Sequence, residues 1–400
     1  MQLRHGTPPE AGMLAARVDR ARDLCARWVD SGHTTAISVC VARRGVIVLH
    51  EAFGALRPEP DAPPIDRRSL FPFSSLSKPI MASLVMQLVE EGGIGLNRPV
   101  LDYLPEIRAD GAEEMLVHHL LTHTAGYTWY DEEPLLSHAA RKLAAGYQPP
   151  ACGANQHPLH AAAIDLFLDA PLARRPGEIM IYSNHNYELL SEIVRRVTGR
   201  PHWEIAQERV FDPLGMRDCF YIVPESETGR VVGRPLDSVG GAPQSPLNQG
   251  IASRQMQETP YGGGGVFGTP RDIATFDQMF LNGGSYGGAR ILSPASVAAM
   301  TRDQIPGIKA LFIGHERERA GWGYGWGIDT PTKWKQYRGG LRTLGSYDHG
   351  GYGGTFTWVD PATELAGVYF EVTLRMNEAQ TEQYWNADLF QDVIAAAVED

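Results

Sequence analysis

A serine and a lysine three positions apart are the first residues whose types and spacing could do chemistry. Ser75 and Lys78 lie in the segment FSSLSK, residues 73–78. Residues three apart share a helix face, so the Lys78 amine can lie over the Ser75 hydroxyl. A serine hydroxyl is a weak nucleophile, and a lysine pushed towards its neutral form by burial can serve as its base. At a helix start, free N–H groups can also face a developing oxyanion. The pair alone is a weak signal, since it arises by chance in many chains.

A tyrosine and an asparagine form the second group, in Tyr182-Ser183-Asn184. A phenol near a lysine can relay protons to a leaving group, and an asparagine two residues further on can hydrogen-bond a substrate carbonyl. The alternative is an ordinary helix N-cap beside a buried tyrosine.

A glycine-rich segment that leads into a predicted strand forms the third group. It contains His349, Gly350, Gly351 and Tyr352. Glycines at a strand edge let a substrate backbone approach closely, and an exposed N–H there can complete an oxyanion hole. The alternative is a glycine-rich hairpin turn.

Taken in order, S-x-x-K, Y-x-N and H-G-G resemble the three-part signature of serine β-lactamases and penicillin-binding proteins. The resemblance is to the family that joins class C β-lactamases, D,D-carboxypeptidases, D-aminopeptidases and family VIII carboxylesterases. It covers most of the chain, because three further segments are similar to segments of that family: LLTHTAG at 120–126, GTPRD at 268–272 and WVDP at 358–361.

The resemblance implies a role for each matching residue. Ser75 would be the acylated nucleophile and Lys78 its base partner. Tyr182 would pass protons to the leaving group and later activate the deacylating water. Which of the two, lysine or tyrosine, is the primary base stays open. The N–H groups of Ser75 and Tyr352 would form the oxyanion hole, and Asn184 would bind a substrate amide or carbonyl.

One departure from the family pattern bears on the substrate. Where efficient β-lactamases carry Lys-Thr-Gly, this chain has His349, Gly350 and Gly351. That lysine gives a permanent positive charge for a substrate carboxylate, whereas a histidine is mostly neutral near pH 7. The departure favours uncharged esters, with weak β-lactam hydrolysis as a side activity.

The elements that must position these groups are strands near both ends of the chain and helices between them. Helices are predicted over residues 10–32, 75–91, 114–122, 159–168, 184–198, 202–211, 270–281 and 381–398. Strands are predicted over residues 36–41, 46–49, 324–328, 354–359 and 365–372, with long loops at 124–158 and 220–265.

The fold class expected from this order, and implied by the resemblance, is α+β. A β-lactamase/transpeptidase-like antiparallel sheet flanked by helices would be joined to an all-helical region. Residues 1–74 and 310–400 would form the sheet domain, and residues 75–309 the mostly helical domain.

Composition narrows the class of protein. The chain has 400 residues, 43% hydrophobic and 21% charged, with a formal net charge of −11. That charge disfavours nucleic acid or an anionic membrane surface as a partner. The first ten residues lack a signal-peptide pattern, and no apolar run approaches the roughly 18 residues of a membrane span. A cytoplasmic location is therefore predicted, with the four cysteines as free thiols.

Three other patterns could also indicate a functional site. Gly283–Gly287 matches G-x-S-x-G, which would make Ser285 a nucleophile, but a helix precedes it and a surface turn is favoured. His119 and His123 have metal-ligand spacing without a third ligand, so no metal and no cofactor are predicted. The aromatics just beyond the LLTHTAG segment line an acyl pocket or belong to the core; they are Tyr127, Trp129 and Tyr130.

The predicted function is carboxylesterase activity (EC 3.1.1) on short-chain esters through an acyl-Ser75 intermediate. The alternatives are a β-lactamase or D,D-/D-amino peptidase, an acyltransferase that uses the same acyl-enzyme, and a catalytically silent binding protein. The partner would be a small-molecule ester or amide. The sequence leaves the physiological substrate and the oligomeric state open.

Overall fold

A computed structural model of the chain describes residues 1–129, 132–234, 252–312, 315–331, 338–373, 375–376 and 383–400. Its strands are β1 (Arg4–His5), β2 (Thr34–Arg43), β3 (Val46–Gly54), β4 (Phe71–Pro72), β5 (Met180–Ile181), β6 (Phe267–Gly268), β7 (Ser285–Tyr286), β8 (Ala289–Arg290), β9 (Ala310–Phe312), β10 (His315–Arg317), β11 (Gly327–Ile328), β12 (Tyr347–Gly351), β13 (Thr355–Asp360), β14 (Leu365–Thr373), β15 (Arg375–Met376) and β16 (Gln383–Tyr384). Its α-helices are α1 (Ala15–Asp30), α2 (Lys78–Glu90), α3 (Val117–Leu121), α4 (Leu135–Ala144), α5 (Pro158–Phe167), α6 (Asn184–Thr198), α7 (His202–Ala206), α8 (Asp212–Leu214), α9 (Arg254–Glu258), α10 (Pro270–Leu281), α11 (Pro294–Met300) and α12 (Ala387–Ala395).

The main sheet has seven strands in the order β1-β3-β2-β14-β13-β12-β11. Strands β2 and β3 form a hairpin within it, in which Arg43 pairs with Val46 across a two-residue turn. Arg44 and Gly45 both have positive φ, at 50° and 76°. Two left-handed residues give a type I′ turn, whose twist matches that of the strands.

Helices cover both faces of this sheet. Helices α1 and α12 pack on one face, and α10 packs on the other against β2, β13 and β14. Alternate residues of β2 enter the two hydrophobic cores: Ile37, Val39 and Val41 on one face, and Ala36, Cys40 and Ala42 on the other. This period-two alternation is what a strand buried on both faces requires.

The helix that follows Ser75 runs through the larger core. Residues 78–88 of α2 are all buried, and the helix packs against α6 and α7. A helix that is buried on every side is a core helix, so packing on all sides fixes the position of Lys78 at its start.

The predicted α+β class, with strands from both chain ends in one sheet flanked by helices, is confirmed. The sheet is mixed rather than wholly antiparallel, because β1 pairs parallel with β3. The division into residues 75–309 and the two flanking segments stays a prediction. None of the helices in the described part of the chain has the length and apolar character needed to cross a bilayer.

Some element bounds differ from prediction. The expected loop at 124–158 contains α4, an amphipathic helix that buries Leu135 and His138, so the prediction of an uninterrupted loop there is wrong. The helix expected from residue 75 begins with a 3₁₀ turn before α2. The strand expected at 324–328 shortens to β11 because Gly325 has a φ of 81°. The predicted loop at 220–265 lies partly outside the described residues.

Candidate active site

Hydrogen bonds tie the segment around Ser75 to the third motif. The Ser74 hydroxyl donates to the carbonyl oxygen of Tyr352 over 2.9 Å, and the Thr355 hydroxyl donates to that of Phe73 over 3.0 Å. Ser74 itself has a φ of 48°, a left-handed conformation uncommon outside glycine. The half-buried Ser75 therefore lies in a 3₁₀ turn whose backbone is fixed against the end of β12.

The amine of Lys78 is fully buried and contacts three oxygen atoms. Its Nζ lies 3.0 Å from Ser75 Oγ, 2.7 Å from Asn184 Oδ1 and 2.8 Å from the carbonyl oxygen of Gly263. Burial lowers the pKa of Lys78 to about 7, opposed by the charge of Glu188. A neutral amine has two N–H donors and one lone pair. Since the amide and carbonyl oxygens can only accept, the lone pair is left for the serine hydroxyl.

Tyr182 lies in a cage of aromatic rings beside this amine. Its ring centroid is 4.2 Å from that of His123, 5.5 Å from that of Trp129 and 5.8 Å from that of Trp322. Lys78 Nζ is 5.0 Å from the Tyr182 ring centroid. The structure therefore brings together the three residues predicted to be catalytic, although their roles stay predictions.

His123 holds the backbone on both sides of Tyr182. The Ile181 N–H donates to the His123 carbonyl oxygen over 2.8 Å, and the Ser183 N–H donates to His123 Nδ1 over 3.2 Å. Burial and the nearby Lys78 charge lower the pKa of His123 well below its usual value. A neutral imidazole leaves Nδ1 free to accept, which is what this contact requires.

Asn184 is the first residue of α6, and its side chain faces Lys78. Its Oδ1 accepts the Lys78 hydrogen bond, so its amide nitrogen is the group left to donate to a substrate. The predicted substrate contact therefore rests on that nitrogen and stays a prediction.

His349 is buried at 3% exposure within the same aromatic group. Its ring centroid lies 6.2 Å from that of Tyr182 and 5.7 Å from that of Trp322. Its Nδ1 is 2.8 Å from the Gly350 carbonyl oxygen, so Nδ1 carries the proton. Burial, together with the Lys78 charge, lowers the pKa of His349 to about 3. The side chain is therefore uncharged at neutral pH.

The two glycines of the third motif differ in what surrounds them. A Cβ at Gly351 would lie 2.0 Å from the Phe73 carbonyl oxygen, whereas a Cβ at Gly350 would find its nearest neighbour, in the Phe356 ring, at 3.3 Å. Only Gly351 is thus required for the close approach of β12 to the nucleophile segment. Tyr352 follows β12, half-buried, with its carbonyl oxygen on Ser74.

The aromatics beyond the LLTHTAG segment separate. Tyr127 is fully buried in the main core, where its ring packs edge-on against His185 at 4.8 Å. This position favours the core alternative over the pocket. Trp129 lies beside Tyr182, and Tyr130 lies outside the described residues.

The G-x-S-x-G match and the spacing of His119 and His123 have local structural explanations. Ser285 lies in the β7–β8 hairpin, not in a strand–turn–helix. His119 Nδ1 accepts the Leu116 N–H over 3.1 Å. Across the described ranges, no group of three or more His, Cys, Asp or Glu side chains is arranged to hold a metal ion. All four cysteines are free thiols, as predicted.

Three contributors to the site were not predicted. His123 was considered only as a metal ligand, Trp322 carried no signal, and Gly263 was one glycine in a run of four. The LLTHTAG resemblance contained the one usable signal, because it placed His123 within a family segment. Nothing local could have connected Gly263 to a lysine 185 positions away.

The sheet, the helices on both faces and the buried serine–lysine pair define a β-lactamase/transpeptidase-like fold. The model of the family described as Beta-lactamase matches residues 16–391. The chain belongs to this family of serine hydrolases with the β-lactamase fold.

Three relatives illustrate the range of the family. Esterase EstB of Burkholderia gladioli is 30% identical over 364 residues, which cover 85% of this chain and 87% of EstB. A putative D-alanyl-D-alanine carboxypeptidase of Salmonella agona is 23% identical, over 91% of this chain and 84% of its own. The structure of EstCE1, described as a hydrolase with promiscuous acyltransferase activity, superposes with a TM-score of 0.72 at 21% identity, over 96% and 99% of the two chains.

Proposed function

We propose that this chain hydrolyses short-chain carboxylic esters through an acyl-Ser75 intermediate. The observation that carries the proposal is the position of the Lys78 amine. It lies 3.0 Å from Ser75 Oγ, with its other two contacts made to oxygens that can only accept. That arrangement directs a lone pair at the serine proton, which is what activation of this nucleophile needs.

In acylation, Ser75 Oγ bonds to the ester carbonyl carbon while its proton passes to Lys78 Nζ. The carbonyl oxygen becomes an oxyanion, which the N–H groups of Ser75 and Tyr352 would stabilise. When the intermediate collapses, the bond to the alcohol oxygen breaks, and Tyr182 delivers a proton to that oxygen and regains one from Lys78. Water then attacks the acyl carbon and loses a proton to the same pair. The bond between the acyl carbon and Oγ breaks, the pair returns the proton to Ser75 Oγ, and the acid leaves.

The preference for neutral esters rests on His349. In the Lys-Thr-Gly motif of the β-lactamases a cation stands at this position, and here an uncharged imidazole does. A carboxylate on the substrate would find no compensating charge in that side chain. The name of the relative EstB, an esterase, also supports ester hydrolysis as the activity of this chain.

Two other activities use the same acyl-enzyme. A peptidase or β-lactamase is supported by the name of the Salmonella relative, and acyl transfer by the description of EstCE1. Both differ from ester hydrolysis in what enters or leaves the acyl-enzyme, not in the nucleophile. The cytoplasmic location also remains part of this proposal.

The experiment is hydrolysis of p-nitrophenyl butyrate by the wild type, Ser75→Ala and the matched control Ser285→Ala. We expect turnover in the wild type and the control, and none above background in Ser75→Ala. Activity that survives in Ser75→Ala and disappears in Ser285→Ala would overturn the nucleophile assignment. Turnover of nitrocefin or a D-Ala-D-Ala peptide but not of the ester would replace the esterase with the second candidate.

A further inference from the structure

Glu188 is a buried carboxylate one helical turn beyond Asn184 on α6, with 3% of its surface exposed. Its Oε2 accepts the Gly262 N–H over 2.9 Å, and its Oε1 accepts the Gly263 N–H over 3.0 Å. His160 Nε2 lies 2.8 Å from Oε2. Burial acts to raise the pKa of Glu188, but these hydrogen bonds and His160 outweigh it and lower the pKa, so the group is ionised.

Gly263 connects this carboxylate to the active-site amine. Its N–H is bound by Glu188, and its carbonyl oxygen accepts from Lys78 Nζ over 2.8 Å. A Cβ at Gly263 would lie 2.9 Å from Tyr187 Cβ and 3.4 Å from both Glu188 Oε1 and Lys78 Nζ. A Cβ at Gly262 would lie 2.6 Å from Ser191 Cβ. Gly262 and Gly263 are thus needed so that the segment can pack closely against α6, where it lies in contact with both the carboxylate and the amine.

We propose that Glu188 is a positioning residue that holds the Gly262–Gly263 segment under Lys78 and keeps the Lys78 amine a stronger base than its burial would otherwise allow. The inference rests on the proposed function, since it assumes that Lys78 activates Ser75. A fully buried amine loses basicity because its charged form is desolvated, and a nearby negative charge restores part of it. A more basic amine takes the serine proton more readily.

Within the described ranges, the other titratable groups around this pair do not supply that negative charge. Those that face Lys78 are held neutral near pH 7, because burial lowers the pKa of the two histidines and raises that of the phenol: His123, His349 and Tyr187. Tyr182 also faces Lys78, with its ring centroid 5.0 Å from Nζ. Those that face Glu188 are held neutral in the same way: His185, Tyr221 and Tyr261. His160 touches Glu188 itself.

The test measures the rate at which a fluorophosphonate labels Ser75 as a function of pH. Labelling forms an oxygen–phosphorus bond, expels fluoride and sends the serine proton to Lys78, so it reports on the base without ester turnover. At a separation within about 7 Å, loss of the charge in Glu188→Gln should move the acid limb of the profile down by about one pH unit. We also expect a lower plateau rate, because the Gly263 segment loses its anchor.

Two variants make the test specific. Glu188→Asp keeps the charge, so its acid limb should stay in place while the plateau rate falls. Glu192→Gln, on the same helix but paired with Arg195 and Arg196, should leave both the limb and the plateau unchanged.

The outcomes separate the claims. An acid limb that stays at the wild-type pH in Glu188→Gln, whatever the plateau, would reduce Glu188 to a structural residue and overturn the inference. A limb that moves in Glu188→Asp as far as in Glu188→Gln would also overturn it. Failure of the wild type to be labelled at Ser75 would instead contradict the proposed function.

Discussion

The imidazole ring of His123 lies against the phenol ring of Tyr182, with ring centroids 4.2 Å apart and planes inclined by 32°. The backbone oxygen and Nδ1 of His123 also bind the N–H groups of Ile181 and Ser183, which flank the tyrosine. One histidine therefore fixes the ring by stacking and the backbone by two hydrogen bonds. We infer that it positions Tyr182 over Lys78.

Loss of this support should slow catalysis more than it weakens binding. We expect His123→Ala to lower kcat for p-nitrophenyl butyrate by about 10²-fold with little change in KM, because a displacement of about 1 Å at a catalytic group can cost that much. His123 has a φ of 58°, a left-handed conformation that asparagine tolerates. An asparagine there can still accept the Ser183 N–H, so His123→Asn should recover part of the rate. His119→Ala is the matched control. Wild-type kcat in His123→Ala would rule out the positioning role.

The pH dependence of ester hydrolysis should report Lys78. If the neutral amine is the base, as proposed, its pKa of about 7 means that kcat/KM should rise with pH and level off above neutrality. Neither His123 nor His349 can produce this limb, since burial places the pKa of each far lower. Lys78→Arg should lose about 10²–10⁴-fold in kcat, because a guanidinium does not deprotonate. An acid limb near pH 4, or an active Lys78→Arg enzyme, would contradict the assignment.

The two glycines of the third motif should respond differently to the same substitution. Gly351→Ala places a Cβ 2.0 Å from the Phe73 carbonyl oxygen, so β12 or the nucleophile segment must shift. We expect at least about 10²-fold loss of kcat/KM and a lower midpoint of thermal unfolding. Gly350→Ala, with its nearest contact at 3.3 Å, should keep both within a small margin. Equal effects would show that the close approach at Gly351 is not what matters.

A buried ion cluster behind β12 should dominate the stability of that edge of the sheet. Arg342 is fully buried and lies 2.9 Å from an oxygen of Asp329 and 2.6 Å from one of Asp348. Arg342→Met leaves the two buried carboxylates to share Arg338, with one negative charge uncompensated, so we expect urea unfolding to show a loss of about 3–5 kcal/mol. The exposed pair of Arg44 with Glu364 is the control, and Arg44→Met should cost less than about 1 kcal/mol. Similar losses in both variants would contradict the account.

Much of the site was predictable because it depends on short spacings. A spacing of three positions on a helical turn brings Ser75 and Lys78 together. Helices α6 and α10 have the bounds predicted for them. Gly199 ends the first of these helices, and Thr269 with Pro270 begins the second. Such signals are local, and the sequence contains them in full.

The remainder depends on contacts between distant segments. In the sequence, Glu188 is only one of the charged residues of an amphipathic helix. Nothing within α6 indicates that it binds Gly262 and Gly263. The role of Gly351 is set by the Phe73 carbonyl oxygen, which belongs to another element. Tertiary packing, not local pattern, decides each of these cases.

The central claim is a covalent acyl group on Ser75, and mass spectrometry of acid-quenched enzyme tests it most directly. The wild type, mixed with p-nitrophenyl butyrate and quenched within the first turnovers, should gain one butyryl group. Peptide mapping should place that group on the peptide that contains Ser75, and Ser75→Ala should gain none. A butyryl group on the peptide that contains Ser285, or steady turnover of the ester with no acyl group on Ser75 under any quench time, would contradict the account.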